Sequence, residues 1–541
     1  MVYLCFYIEQ FDTKRNIKYT DWYNINMSPL KRQILLITVI AAAIMELIDT
    51  SIVNVALNYM SGNLGATLED TSWVITSYAI ANVIIIPMTS FLANNLGRRN
   101  YYIGSIILFT VCSFMCGNAT SIWELVAFRF LQGLGGGALL SVSATVVYEL
   151  FPKEKQATAS ALFGIGIFIG PTIGPTLGGY ITENYSWPWI FYINVPIGIA
   201  AAVSCMFFLY EPIKQKIREI DWLGIMLLIV GIGSLQVVLE RGQTDDWFAA
   251  GYITFLTVLA TLSLTSFIIW ELHTKNPVVN LHILRFRSLS IAAVLTFITG
   301  MGMYTSIYLT PVVAQRLLGF TPTQSGLLLL PGSIVAVLAL IITGKLLQKG
   351  ISPALIVLLG FLCFIYFNWS MSRINLQTPA FDITLNLIFR AIGMALLTVP
   401  LGTLAVSSLE AKDMPQGTAL NNMMRQLGGS FGISIINTYV ARRIASHRMD
   451  LITHITSDNP ISVARISSYT QLFQQKGFGL LDAKQKAMQL IELVVVKQSS
   501  FSSYLDGYFL IGSFFAVVLP LLLFVAKRDK TKKMVIPSSD H

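Results

Sequence analysis

The chain alternates between long apolar segments and short polar turns. Each apolar segment has about 20 residues or slightly more, and a helix of that length, about 30 Å, crosses the hydrocarbon core of a bilayer. The pattern therefore predicts an all-α polytopic membrane protein with fourteen transmembrane helices. The predicted spans lie near 33–58, 71–93, 101–120, 123–147, 157–180, 188–210, 222–239, 249–270, 290–312, 324–347, 353–371, 381–406, 416–440 and 503–526.

The fourth span contains an arginine, Arg129, inside its apolar region. If the helix begins near Ile122, Arg129 lies roughly 10 Å from the end of the apolar segment. An ionised side chain at that depth costs a few kcal/mol or more, so it usually faces the interior of a bundle and has a partner. We therefore expect Arg129 to be buried beside an acid.

The first span supplies two acids and an amide, Glu46, Asp49 and Asn54. Glu46 and Asp49 are three residues apart and share a helix face. Asp49 lies about 13 Å below the outer boundary of its span, a depth similar to that of Arg129. Two interpretations remain open: a structural ion pair that fixes helix register, or a carboxylate that titrates and carries a proton.

The fifth span has small residues at regular spacing. Its glycines recur every four residues, which lets another helix backbone approach closely along one face. Its prolines remove backbone donors and loosen the helix. We predict that this face acts as a hinge and forms part of the interface between two halves of the bundle. The residues are Gly166, Gly170, Pro171, Gly174, Pro175, Gly178 and Gly179.

Six spans precede a central pair of spans and six follow it. The first six and the last six spans share some sequence features at equivalent positions. The fourth span of the second sextet carries Arg390, matching Arg129, and the fifth carries Arg425 beside a glycine run. Two such halves predict a pseudo-two-fold bundle around a central cavity. The predicted regions are an N-terminal segment 1–32, a first half 33–210, a linker with two extra spans 211–289, a second half 290–526 and a basic tail 527–541.

Composition supports the membrane assignment. Only 12% of the residues are charged and the mean hydropathy is +0.65, whereas soluble domains carry about 25% charged residues. The net charge of +9 does not indicate nucleic-acid binding, because Lys and Arg concentrate in the loops of one side. The positive-inside rule makes that side cytoplasmic, with both termini there, in a plasma (inner) membrane.

Several functional classes find no support in the sequence. Cys112 and Cys116 share a helix face without acid or histidine neighbours, so neither a metal site nor a disulfide framework is predicted. No phosphate-binding G-x-x-x-x-G-K-[ST] motif is present, so ATP is not the predicted energy source and no cofactor is expected. All five histidines lie outside the spans, which argues against a membrane-embedded enzyme.

Residues 1–27 lack the features of a signal peptide, and Met27 is an alternative start.

Two polar segments outside the spans complete the pattern. The turn with Gly97, Arg98 and Arg99 is explained by topology alone, and Glu149 belongs to a charge cluster that we expect to be solvated. The outer segment 441–502 contains an amphipathic helix over 482–498, either a lid on the bilayer or bundle or an arm that docks a partner. His447 and His454 are expected to be solvated.

These motifs resemble the major facilitator superfamily, specifically its fourteen-span drug:proton antiporter family of the EmrB and QacA type. The resemblance is carried by LIDTSIVNVAL at 47–57, LVAFRFLQGLGGG at 125–137, GIFIGPTIGPTLGG at 166–179 and YLTPVVAQRLLGFTPTQSGLLLLPG at 308–332. The segment at 166–179 is similar to the motif that distinguishes antiporters. Ser90 and Asn94 depart from the family's loop motif, which argues against a charge latch in the turn at 97–99.

The resemblance implies a proton-driven exporter of drugs or other lipophilic or cationic compounds, working by alternating access between two six-span halves. It implies that Arg129 takes part in proton transfer, and we expect Asp49, with Glu46 beside it, to exchange the protons. For a Gram-negative member it also implies a periplasmic adaptor and an outer-membrane duct. The alternatives are a dedicated exporter of one metabolite, such as a siderophore or fatty acid, or, from another class, a membrane-embedded enzyme or a channel.

Overall fold

A computed structural model describes residues 27–152, 155–210, 221–275, 277–409, 413–456 and 458–521. The first 26 residues, the linker at 211–220 and the basic tail at 527–541 lie outside the described residues, as do Lys153 and Glu154.

The described chain is built from helices. They are α1 (Pro29–Leu64), α2 (Leu68–Leu96), α3 (Arg98–Gly117), α4 (Ile122–Glu149), α5 (Gln156–Asn184), α6 (Trp189–Phe208), α7 (Trp222–Arg241), α8 (Gly251–His273), α9 (Arg287–Val312), α10 (Pro322–Gln348), α11 (Pro353–Met371), α12 (Ala380–Ser407), α13 (Met414–Thr453), α14 (Pro460–Gln475) and α15 (Leu480–Val518). Among the described residues, thirteen helices are long and apolar enough to cross a membrane. The remaining predicted span, 416–440, lies in α13, which is helical but too polar for that criterion.

Local sequence explains where these helices begin and end. Thr321 caps α10 in a reciprocal capping box with Gln324, and Pro322 occupies the first turn, where its missing N–H costs nothing. Gly97 separates α2 from α3 with φ of 87°, a conformation that favours glycine. Pro171 and Pro175 lie within α5 without ending it.

The first half is α1–α6. In it α1 packs on α4, α5 and α6, α2 packs on α4, and α3 packs on α4 and α6. The glycine face of α5 lies against α1: a Cβ added at Gly170 would be 2.5 Å from Leu47 Cβ, and one at Gly178 would be 3.0 Å from the Ile52 carbonyl oxygen. The prediction that these glycines form part of the interface between the two halves is therefore wrong, because their neighbour α1 belongs to the same half, although α5 itself also packs on α10 and α12.

The second half consists of α9–α13 and α15, and the inserted pair α7–α8 lies beside both halves. Within this half α9 packs on α13, α10 on α12, α11 on α12, and α15 on α13 and α11. The α7 helix packs on α2 of the first half and α13 of the second. Gln236 Nε2 donates to Ser430 Oγ (3.0 Å), and Arg241 Nη1 donates to Ser72 Oγ (3.0 Å), so α7 contacts both halves through side chains.

The two halves meet through the helix pairs α5–α10, α5–α12, α2–α13 and α4–α13. We call the end of the bundle with the turn at 97–99 the basic end, and the opposite end the hairpin end. Near the basic end Ser160 contacts Thr403 (3.2 Å) and Asn422 donates to Ser141 (3.4 Å). Near the hairpin end Thr323 donates to Glu183 (3.3 Å).

The segment 441–502 is largely helical rather than a loop. The α13 helix continues to Thr453, and α14 follows it. The predicted amphipathic helix at 482–498 lies in the first part of α15, which continues into the last span. We call residues 441–502 the outer hairpin. Arg448 pairs with Glu492 (2.7 Å), and His447 Nε2 contacts Asp506 Oδ2 (2.8 Å), so the expectation of a merely solvated His447 is wrong.

Candidate functional site

An ion pair lies at the centre of the first half. Arg129 Nη1 on α4 donates to Asp49 Oδ2 on α1 at 2.6 Å, and neither residue has more than 1% of its surface exposed. The structure confirms the pairing predicted from their similar depths. A fully buried pair links two helices firmly, because removing either partner leaves the other charge uncompensated.

The other carboxylate oxygen of Asp49 accepts from two amides. Gln132 Nε2 donates at 3.1 Å and Asn194 Nδ2 at 2.9 Å, and Asn194 also contacts Ser113 Oγ at 3.0 Å. Three donors thus satisfy Asp49 as a carboxylate anion. Sequence reasoning missed Gln132 and Ser113. The position of Gln132, three residues after Arg129 on the same helix face, was the available signal.

Arg129 makes further contacts that fix its guanidinium. Nη1 also donates to Gln132 Oε1 (2.8 Å), and Nε donates to the Val74 carbonyl oxygen (3.2 Å). The guanidinium lies 4.1 Å from the centroid of the Tyr78 ring, a cation–π distance. Asp49, Gln132, Asn194 and the aromatic ring hold the charge between α1, α2, α4 and α6.

Glu46, one turn from Asp49, has weaker partners. Its Oε1 accepts from Asn82 Nδ2 at 2.9 Å and from Tyr78 at 3.3 Å. Its Oε2 is buried and has no hydrogen-bond partner among the described residues. Glu46 is 4% exposed, so two buried carboxylates share a helix face while Arg129 pairs with Asp49 alone.

A second buried ion pair closes the basic end of the first half. Arg98 Nη1 donates to both carboxylate oxygens of Glu149, at 2.5 and 2.6 Å. Glu149 is 5% exposed, so the prediction that it is solvated is wrong, and a charge latch does join α3 to α4 here. Arg99 instead donates to the Met206 carbonyl oxygen.

The arginines of the second half are not a copy of the Asp49–Arg129 pair. Arg390 has Tyr508 as its electrostatic neighbour, and Arg425 has Tyr304 and Tyr148. The Nη1 atom of each arginine is buried and lacks a hydrogen-bond partner among the described residues. Asn54 is exposed and donates weakly within its own helix, so it does not join the site at Asp49.

A small cavity of about 20 Å³ lies between the two halves toward the basic end. It is lined from α4, α5, α12 and α13, among others by Tyr148, Phe163, Thr398, Asn421 and Arg425. No group of three or more His, Cys, Asp or Glu residues within the described part of the chain could hold a metal ion. The cavity lies where α4 and α5 of the first half face α12 and α13 of the second.

Comparison with known proteins identifies relatives of the whole chain. A sequence model of the Major Facilitator Superfamily matches residues 39–433. The chain is 33% identical to the multidrug export protein EmrB of Escherichia coli, over 92% of this chain and 96% of that protein. It is 34% identical to the fatty acid resistance protein FarB of Neisseria gonorrhoeae, over 90% and 94% of the two chains. In fold it resembles the human organic anion transporter MFSD10, with a TM-score of 0.56 at 12% identity, covering 90% of this chain and all of that one.

Proposed function

The chain belongs to the major facilitator superfamily, in its EmrB-type drug-export family, and from this we propose how it exports small molecules in exchange for protons. It is a multi-pass membrane protein of a transporter family. We propose that two halves rock about the central cavity in alternating access, that the protein is not an enzyme, and that the basic end faces the cytoplasm of a plasma (inner) membrane.

The neighbouring carboxylates of Asp49 and Glu46 have different partners, and this difference supports the proposed mechanism. Asp49 has a cation and two amide donors, which together stabilise its charged form. Glu46 has no cation of its own, and its Oε2 has no partner among the described residues. Burying a carboxylate anion in that state costs free energy that binding a proton removes. We infer that Glu46 carries the proton and that the Asp49–Arg129 pair holds α1 in register.

Contacts join the halves at both ends of the bundle. Ser160–Thr403 and Ser141–Asn422 lie near the basic end, and Thr323–Glu183 lies near the hairpin end. In the proposed cycle, a state open at the hairpin end lets a proton from outside reach Glu46, and rocking then exposes Glu46 and the cavity to the cytoplasm. Substrate taken up there would leave on the return step.

Replacing Glu46 with Gln is expected to abolish proton exchange while preserving the fold. Glutamine keeps the size of the side chain and an oxygen for Asn82 but cannot bind and release a proton. The measurement is substrate-driven proton flux in proteoliposomes loaded with a pH-sensitive dye. We expect at least a tenfold loss of flux, with a melting temperature close to that of the parent protein.

Asn82→Asp is the matched comparison, because it adds a carboxylate beside Glu46 without removing it. Two carboxylates this close favour sharing one proton. The proton flux of this variant should therefore persist, with its maximum at a different pH. Full proton-coupled export by the Glu46→Gln variant would contradict the assignment of the carrier.

A second candidate function uses the same fold and the same proton site. FarB is named for fatty acid resistance, whereas EmrB is named for multidrug export. We therefore keep a dedicated exporter of one metabolite, such as a fatty acid or siderophore, as the alternative. A substrate panel in an efflux-deficient host separates the two, because a dedicated exporter protects against one chemical class only.

The outer hairpin would provide the surface for an adaptor in a Gram-negative cell. It carries apolar side chains that are largely exposed, including Ile461 at 76% and Leu481 at 85%. Such side chains in a segment outside the spans are typical of a protein-binding surface. We propose that an adaptor leading to an outer-membrane duct binds here.

Replacing 458–477 with a flexible Gly/Ser linker tests this adaptor. The change removes α14 but leaves α13 and α15 intact. Export should fall in whole cells and persist in proteoliposomes, where no adaptor is present. Loss in both systems, or in neither, would argue against docking at the hairpin.

A further inference from the structure

A second and larger cavity lies at the basic end of the bundle. Its volume is about 370 Å³, within the usual size of small-molecule sites. Its walls are described residues of the linker 274–286, which joins α8 to α9, together with Asp413 and Gln416 at the start of α13. We call this space the linker cavity. It shares no lining residue with the cavity between the halves.

Charged side chains of both signs line the linker cavity without pairing. Lys275 and Arg285 are exposed cations, and Asp413 contributes a half-buried carboxylate. Neither cation forms an ion pair with a described residue, and the guanidinium of Arg285 lies 5.1 Å from the centroid of the Phe286 ring. Asp413 directly precedes α13, yet its side chain accepts no capping hydrogen bond. The charges of both signs are therefore available to a ligand.

The α13 side of the linker cavity has further acceptor capacity. Gln416 lines the cavity, and its Oε1 atom is buried without a hydrogen-bond partner among the described residues. A buried acceptor without a donor costs free energy. The α13 side, with Asp413 and Gln416, is thus suited to a cationic donor, whereas the linker side, with Lys275 and Arg285, is suited to an anion.

A small zwitterion matches this arrangement better than a simple anion does. The oxygens of a phosphate diester accept from ammonium and guanidinium groups, and the planar fork of Arg285 suits two of them. A primary ammonium offers three N–H donors, which a carboxylate and an amide oxygen can accept. Phosphoethanolamine carries both groups on a short link, so it can pair the charges of both walls at once.

The level of the linker cavity favours a lipid as the source of this group. The α7 helix begins at Trp222 and α8 ends just after Trp270, and these side chains are 69% and 40% exposed. Exposed tryptophans at the ends of spans are typical of the membrane–water interface. Lys275 follows directly after this level, where basic pockets bind lipid head groups on the cytoplasmic side.

We propose that the linker cavity binds the phosphoethanolamine head group of a membrane lipid, with the phosphate at Lys275 and Arg285 and the ammonium at Asp413. The lipid joins the inserted pair to the second half, because the linker continues α8 and Asp413 precedes α13. The site depends on neither the exported substrate nor the proton-binding residue, so it goes beyond the proposed function.

Three lipids with the same acyl chains test the head-group preference: phosphatidylethanolamine, phosphatidylcholine and phosphatidylglycerol. Choline keeps the phosphate and the positive charge but has no N–H donor, and glycerol keeps the phosphate without a cation. Their dissociation constants are measured by native mass spectrometry of the full chain in detergent. We expect phosphatidylethanolamine to bind about tenfold more tightly than either of the others, as suits hydrogen bonds between charged groups.

Two variants test the two walls separately. Combined Lys275→Gln and Arg285→Gln should weaken the binding of phosphatidylethanolamine about tenfold. Asp413→Asn should reverse the preference, so that phosphatidylglycerol binds more tightly than phosphatidylethanolamine, because the two cations then remain without the carboxylate. These side chains are exposed or half-buried, so the melting temperature without added lipid should not change.

Combined Arg287→Gln and Lys349→Gln is the matched control. It also removes two exposed cations of the basic end, but neither residue lines the linker cavity. This variant should keep the preference of the parent protein for phosphatidylethanolamine. The same loss in the control as in the Lys275 and Arg285 variant would indicate general surface attraction and overturn the proposal.

Two further outcomes would contradict the proposal. One is equal binding of the three lipids by the parent protein, or an unchanged preference in Asp413→Asn. The other concerns the source of the ligand and uses free phosphoethanolamine on the full chain in phosphatidylcholine nanodiscs. If the free compound binds as tightly as the lipid, the ligand is soluble and the assignment to a lipid is wrong.

Discussion

Asp49→Asn is expected to destabilise the protein and to abolish export. The substitution removes the counter-charge of Arg129, which is 1% exposed and cannot reach water without unpacking α4. Leaving a buried charge unpaired costs about 3–5 kcal/mol. Thermal denaturation of the purified protein in detergent measures the stability loss, and substrate-driven proton flux in proteoliposomes measures the loss of export.

The double variant Asp49→Asn, Arg129→Gln distinguishes two effects of losing Asp49: an unpaired buried charge on Arg129, and the loss of a group that could bind a proton. It removes both charges while keeping side chains of similar size, so most of the lost stability should return. If Glu46 is the carrier, part of the proton flux should return as well. An Asp49→Asn protein that melts like the parent would show that the pair does not hold the helices together.

Gly174→Val is expected to disrupt the packing of α5 on α1. A Cβ at this position would lie 1.9 Å from Ser51 Oγ and 3.1 Å from the Ile48 carbonyl oxygen, so backbone as well as side chain must move. Overpacking of this kind costs up to about 3 kcal/mol, and occasionally more. The fraction of protein that elutes as a single species in size-exclusion chromatography should fall severely, together with the melting temperature.

Gly104→Val is the matched control, because a Cβ added there meets no atom within 4 Å. It should behave like the parent protein. The milder Gly174→Ala should be partly rescued by Ser51→Ala, since removing Ser51 Oγ leaves its Cβ at 3.0 Å from the new atom. If Gly174→Val and Gly104→Val have the same melting temperature and the same single-species fraction, the close approach of α1 and α5 is not required for stability.

Long apolar segments and the depth of single charges were predictable from sequence. Asp49 and Arg129 could be matched because position along a span converts directly into depth in a membrane. Gln132 was signalled by its position three residues after Arg129 on the same helix face. Ser113, which accepts a hydrogen bond from Asn194, could not be placed, because depth does not specify which way a helix is rotated about its axis. For the same reason the spacing of the α5 glycines predicted a close-packed face but not that its neighbour is α1.

Other predictions were wrong because polar residues were expected to be exposed to solvent. Glu149 lies in a charged turn, yet Arg98 buries it by pairing with both of its oxygens. The outer hairpin has a composition typical of a loop, but tertiary contacts such as Arg448–Glu492 support two long helices there. A local sequence pattern contains no information on partners that are 44 or more residues away.

The position of α7 determines how a molecule dissolved in the bilayer meets the bundle. Ile225, Leu228 and Ile232 of α7 pack in one cluster with Val83 and Ile84 of α2, and Leu427 of α13 lies against it. The inserted pair thus covers the lateral seam between α2 and α13, while the described contacts of α7 and α8 do not extend to the opposite seam between α5 and α10. A substrate dissolved in the lipid therefore meets the α2–α13 seam covered by the inserted pair and the α5–α10 seam uncovered by it. Entry from the bilayer is expected to differ between these two seams.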